Sequence, residues 1–189
     1  MLSLAEAQTD QPQDGVATTS VAALAAHDPS AWQELFERYY RRLYRFAYVR
    51  TGDASAAEEI AAESFVAAAK GISRYRETGA PFGSWLYRIA RNLTADHLER
   101  RRRRPVLPLE AVEIVAGAWS GGVEDAADIA KALARLTGDQ QEVIVLRFFD
   151  DCSLQEAATA LGKSVGAVKV LQHRALAALR KHLTAGGRP

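Results

Sequence analysis

The sequence of 189 residues predicts an all-α protein of two small helical domains joined by a flexible linker. Three observations carry that expectation. Alanine, the strongest helix former, occupies 36 positions. Apolar residues recur at spacings of three and four in both halves of the chain. The third observation is charge segregation: a net charge of only +1 hides −4 over residues 1–30, +6 over 31–104, −5 over 105–130 and +4 over 131–189. Two basic blocks flanking an acidic stretch read as two modules and a linker, facing a polyanionic partner. The expected divisions are a disordered tail over 1–25, a first module over 26–104, a linker over 105–130 and a second module over 131–186.

Residues 1–25 are polar and aperiodic, as a mobile tail would be. Asp28-Pro29 then supplies an N-cap and a first-turn proline. Trp32, Leu35, Phe36, Tyr39, Leu43 and Phe46 form one stripe, and Thr51-Gly52 ends the helix. A second helix starts near Asp53 or Ser55, the latter with capping-box spacing to Glu58, and runs through Ile60 and Phe65 to Lys70-Gly71. Its polar face carries Glu58, Glu59 and Glu63, which by themselves read as a solvated face.

Residues 72–83 read as a loop holding Arg74, Tyr75, Arg76 and the breakers Thr78-Gly79-Ala80-Pro81. The third helix runs from Phe82 to Arg104, where Pro105 stops it. Phe82, Trp85, Leu86, Ile89, Ala90 and Leu93 make its core stripe; Arg88, Arg91, Asn92, Asp96, Arg100 and Arg103 lie off it. Five consecutive arginines, Arg100 to Arg104, exceed what capping a helix dipole requires, and a phosphate backbone is the expected counter-charge. Tyr75, Phe82 and Trp85 offer stacking faces for unpaired bases, although Phe82 and Trp85 suit the core better.

In the second module Asp128 opens a helix through Ile129, Leu133 and Leu136, and Asp139 caps the next, with Val143, Ile144, Leu146 and Phe149 as its apolar members. Ser153-x-x-Glu156 gives a capping box, Gly162 ends that short helix, and Ser164 caps a final helix over 165–183. Ala158, Gly162 and Val168 have helix-turn-helix spacing: a small residue where two helices cross, a left-handed turn residue and a buried aliphatic. With Lys163, Lys169, His173, Arg174, Arg180 and Lys181 nearby, the pattern points to duplex DNA rather than to an ordinary helical hairpin.

Cys152 is the only cysteine, which excludes an internal disulfide and reads as a helix-boundary residue rather than a redox sensor. The four histidines lack metal-ligand spacing, so no metal or other cofactor is expected. The first 20 residues do not have the make-up of a signal peptide, and no run of 18 apolar residues would insert in a membrane; a cytoplasmic protein is expected. No nucleophile elbow, phosphate-binding loop or zinc-protease motif occurs, so the expectation is not an enzyme.

The residues resemble a bacterial RNA polymerase sigma factor of the extracytoplasmic-function (ECF) group. The resemblance lies in Phe36 to Ala47 followed by Gly52-Asp53, in Glu58-Glu59-Ile60 with Glu63-Ser64-Phe65, and in Phe82 with Trp85 to Leu93, Asp96-His97-Leu98 and the arginine run. It continues in Ala132 to Leu136, Val145 to Phe148 and Ala158 to Leu179. It implies that the modules are sigma regions 2 and 4, which direct core polymerase to promoters and open them. Glu58, Glu59 and Glu63 would then dock on the β′ clamp. Arg74, Tyr75 and Arg76 would help capture the −10 strand, Asn92 and Asp96 would read or support an unpaired base, and Arg88, Arg91, Arg100, Arg101, Arg102, Arg103 and Arg104 would hold phosphates. Region 4, on the β flap, would read the −35 duplex with Lys163, Ser164, Lys169, Gln172, His173 and Arg174, with Leu171 buried and Gln172 turned outward. An anti-sigma partner is a further implication.

Ala56 and Ala62 stand where the family has Asp and Gln, and Ala167, Val170 and Leu171 where it often has Thr, Ser and Arg. The alternative is a stand-alone helix-turn-helix regulator of duplex DNA. A nucleic-acid-processing enzyme is a third reading. An acidic helix, an aromatic loop and an arginine-ended helix in the first module speak against a simple repressor.

Overall fold

The computed structural model of the chain describes residues 20–76, 81–101 and 123–186, and no strand occurs among them. The first module comprises α1 (Val21–Ala25), α2 (Pro29–Thr51), α3 (Ala54–Gly71), a 3-10 turn (Ile72–Arg74) and α4 (Phe82–Arg101). The second comprises α5 (Val123–Ala134), α6 (Gly138–Ile144) continued by a π-turn (Val145–Phe149), α7 (Leu154–Leu161) and α8 (Val165–Gly186).

Residues 21–25, placed by the sequence in the tail, are helical. Ser20 caps α1, Leu24 is fully buried, and its carbonyl accepts the Trp32 indole N–H at 3.1 Å. One buried leucine and one hydrogen bond fasten this turn to α2. Asp28 caps α2 through the Ser30 and Ala31 amides (2.8 and 3.1 Å), and Gly52 closes it at φ 63°. Leu35, Tyr39, Leu43 and Phe46 are buried as expected. Phe36 is not: it is 43% exposed, with its ring over Tyr40 and Phe65 (centroids 4.7 and 4.9 Å). Asp53, not Ser55, caps α3, accepting the Ala56 amide at 3.1 Å. That bond, and the Arg101 guanidinium, hold its carboxyl below the usual carboxylate range.

Helix α4 is buried on more than its expected stripe. Phe82, Leu86 and Ala90 are covered, and so are Gly83, Tyr87 and Thr94. A Cβ at Gly83 would overlap the Tyr39 ring, so α2 and α4 approach closely only because this residue is glycine. The second cause is the other module: α4 packs against α7 as well as against α2 and α3, and one apolar core runs through both modules.

Helix α5 starts at Val123, so the final residues of the expected linker are helical; residues 102–122, including Arg103 and Arg104, lie outside the described residues. Thr137, not Asp139, caps α6, with the Gln140 side-chain Oε1 accepting the Thr137 amide at 3.0 Å. Asp139 lies in the first turn, and its carboxylate is engaged by Arg91 and Lys163. Ser153 and Glu156 form the expected capping box (3.2 and 2.6 Å), and Gly162 adopts φ 63°. Ala158 and Val168 are buried where the helices of the helix-turn-helix meet.

Candidate nucleic-acid interface

One short connection places the first candidate surface. The 3-10 turn after α3 carries Arg74, Tyr75 and Arg76 back towards the start of α4, where Trp85 and Arg88 project one turn apart. These five residues, with Pro81 and Thr159 of the second module, line a cavity of about 210 Å3. Tyr75, Phe82 and Trp85 form a ring cluster with centroids 5.0 to 5.1 Å apart. Phe82 is the buried base of the cluster, whereas Trp85 reaches the cavity and so serves more than the core. Guanidinium groups beside ring faces suit a base and its phosphate together.

Beyond the cavity, Arg88, Asn92, Asp96 and Arg100 follow one another at four-residue intervals along an exposed face of α4. Arg100 donates to the Asp96 carbonyl at 3.2 Å, and Arg101 pairs with Asp53 at 3.0 Å. Arg91 has other partners: Nε donates to Glu142 at 2.8 Å, and Nη2 lies 3.4 Å from Asp139. Burial works against its charge, but the Glu142 bond and the two carboxylates outweigh that and raise its pKa.

In the helix-turn-helix, Lys169, His173 and Arg174 are exposed on α8, as are Ala167 and Val170. The Ser164 hydroxyl accepts the Ala167 amide at 3.2 Å, so it caps α8. Lys163 pairs with Asp139 at 3.0 Å. Gln172, expected to face outward, is half-buried and accepts a bond from Arg147 Nε at 3.1 Å; Arg147 also donates to the Cys152 carbonyl. In the first module, Glu58, Glu59 and Glu63 are exposed on α3, as are Ala62 and Val66. Ala56 is buried, so a packing methyl replaces the family's carboxylate there.

Sequence reasoning missed the polar seam between the modules. Asp150, with no side-chain exposure, accepts from Arg45 and from the Tyr87 hydroxyl at 2.7 Å. Glu142, 4% exposed, accepts from Arg50 Nε at 3.1 Å as well as from Arg91. Burial lowers the Arg45 pKa and pushes that of Tyr87 well above its ordinary value. The signal was present: Glu142 stands immediately before the apolar run Val143 to Leu146, and Asp150 immediately after Phe148-Phe149, where an unpaired carboxylate would be costly.

An aromatic cavity lined mainly by the first module, with Thr159 of the second, and a helix-turn-helix in the second define a two-part DNA-binding protein. Residues 35–104 match the Sigma-70 region 2 family and residues 132–181 the Sigma-70, region 4 family. The chain is 35% identical over 164 residues to the ECF RNA polymerase sigma factor BldN of Streptomyces coelicolor, covering 84% of this chain and 62% of BldN. It is 32% identical to SigD of Mycobacterium tuberculosis (88% of this chain, 84% of SigD) and 33% to SigW of Bacillus subtilis (82% and 90%). Among solved structures, CnrH in complex with the cytosolic domain of CnrY aligns over 88% of this chain and 96% of that chain at 29% identity, with a TM-score of 0.69. RpoE from Bartonella quintana, solved with the anti-sigma factor NepR, shares the fold: TM-score 0.63, 22% identity, 82% of this chain and 98% of RpoE. The chain belongs to the ECF RNA polymerase sigma factors. A stand-alone regulator is not favoured, because it has no use for region 2.

Proposed function

We propose that the chain, bound to core RNA polymerase, selects promoters and opens them with a division of labour between its modules. The cavity between Arg74, Tyr75, Arg76, Trp85 and Arg88 carries this reading: it offers stacking and phosphate neutralisation in one place, as capture of a flipped −10 base requires. Asn92 and Asp96 supply polar groups on the same helix, and Arg100 and Arg101 continue the phosphate track, with Arg103 and Arg104 beyond the described residues. Lys163, Lys169, His173 and Arg174 would contact the −35 duplex in the major groove, while Ser164 and Gln172 position the helix that bears them.

The exposed carboxylates of α3, with Val66 beside them, would dock on the β′ clamp, and region 4 on the β flap. The chain acts by binding rather than by catalysis and works in the cytoplasm. No helix among the described residues is long and apolar enough to cross a membrane, and no cluster there could hold a metal. CnrH was solved in complex with the cytosolic domain of CnrY, and RpoE with the anti-sigma factor NepR; an anti-sigma partner is proposed here too. Sequencing transcript 5′ ends made by purified core polymerase on a genomic promoter pool, with and without the chain, tests this reading. Start sites that appear only with the chain are expected; none appearing, with tight duplex binding by the chain alone, would overturn it.

A further inference from the structure

The exposed face of α8 has an apolar centre and charged edges. Val168 and Ala175, both fully buried, fix which side of the helix meets the core. With 3.6 residues per turn, the opposite side is centred on Gly166, Val170, His173 and Ala177, all exposed. Lys169 and Arg180 border this strip along one edge, Arg174 and Lys181 along the other, and these four are exposed as well. Val170, at 51%, is the most exposed large apolar side chain among the described residues, and Ala167 is exposed one turn before it. A Cβ added at Gly166 would meet nothing within 4 Å, so the strip lies open to close approach.

Cations on both edges of a helix suit the phosphate rows on either side of a major groove, and the strip between them then faces the base edges. His173 is the one side chain on that strip that can hydrogen-bond. Gln172, a residue type that pairs with adenine, is half-buried and held by Arg147 at 3.1 Å. An isopropyl group offers no hydrogen bond, and the apolar group that a base pair presents in the major groove is the thymine C5-methyl. Set against a G·C pair, the same side chain would cover hydrogen-bonding atoms without replacing their water, which costs binding.

We propose that Val170, with Ala167 beside it, reads thymine methyl groups in the −35 duplex and is a specificity-determining residue of this chain. Lys169 and Arg174 then set the register on the phosphates, and His173 supplies the polar contact next to the methyl. The inference deepens the −35 reading proposed above and rests on it.

The test uses the full chain assembled with core polymerase. The holoenzyme first selects upstream elements from a promoter pool randomised across the −35 region. Anisotropy then measures its affinity for a selected duplex in which each thymidine in turn is replaced by deoxyuridine, which removes the methyl and keeps the base pair. At one or two positions the intact chain should lose about fourfold in affinity per methyl. Val170→Ala, an exposed change that leaves the core untouched, should bind the thymidine duplex about fourfold more weakly and no longer distinguish it from the deoxyuridine duplex. Lys169→Ala should weaken both duplexes equally and flatten the salt dependence. Circular dichroism checks that each variant is folded.

A selected element whose affinity ignores every deoxyuridine would overturn methyl reading and leave the −35 assignment standing. So would a deoxyuridine loss that persists in folded Val170→Ala. Selection of no upstream element at all would instead remove the −35 assignment, and the inference with it.

Discussion

Tyr87→Phe removes one oxygen atom from the seam and leaves the ring packing in place. The ring is 1% exposed and edge-on to Tyr39 and Phe46 (centroids 6.3 and 5.7 Å), and its hydroxyl donates to the fully buried Asp150 at 2.7 Å. A hydrogen bond to a buried charge contributes about 1.5–3 kcal/mol, and Asp150 keeps Arg45 as a partner, so the lower end, about 1.5 kcal/mol, is expected. Burial raises the Tyr87 pKa well above its model-peptide value of 10.0. The folded chain therefore holds this proton where the unfolded chain has lost it. The contribution is fully present below pH ~10 and is lost as the pH rises towards the raised value, by up to about 1.4 kcal/mol per pH unit. Urea denaturation followed by circular dichroism, at neutral pH and at several values above 10, measures both effects. The variant should be less stable at neutral pH, and the gap should narrow as the pH rises. A loss below about 0.3 kcal/mol, or a gap that does not change with alkaline pH, would refute the assigned packing of Tyr87 on Asp150.

Other outcomes follow from the same structure. Leu43→Ala, at a fully buried position, should cost about 2–5 kcal/mol in the same denaturation assay. Gly162→Val places a β-branched residue at φ 63° in the helix-turn-helix and should lower stability by about 1–3 kcal/mol and weaken duplex DNA binding by the holoenzyme. Glu59→Lys/Glu63→Lys, on the exposed face of α3, should leave the melting temperature unchanged and weaken core polymerase binding about tenfold or more by anisotropy.

Local chemistry was legible from the residues alone. The caps at Asp28 and Ser153, the left-handed glycines 52 and 162, and the crossing of α7 and α8 at Ala158 and Val168 each depend on neighbours a few positions away. What escaped depends on the modules meeting. Tyr87 and Thr94 lie off the expected stripe of α4 and are buried, Tyr87 against a residue of the second module. Asp139 reads as a cap by position, but Thr137 fills that role with Gln140, which leaves the carboxylate for Arg91 and Lys163. Gln172 reads as an outward base reader on a helical wheel, and Arg147, 25 residues earlier, turns it aside. Segment charges pointed to two modules, yet could not reveal that three acids of the second block face three arginines of the first.

Permanganate reactivity of −10 thymines in a promoter taken from the transcript pool measures strand opening itself. With core polymerase and the intact chain, non-template thymines should become reactive; with core alone or the chain alone they should not. Trp85→Ala should reduce that reactivity about tenfold or more, since stacking on one aromatic face is worth about 1–3 kcal/mol per base. Full reactivity without the chain, or no reactivity in a holoenzyme stably assembled with it, would contradict its role as the subunit that opens the promoter.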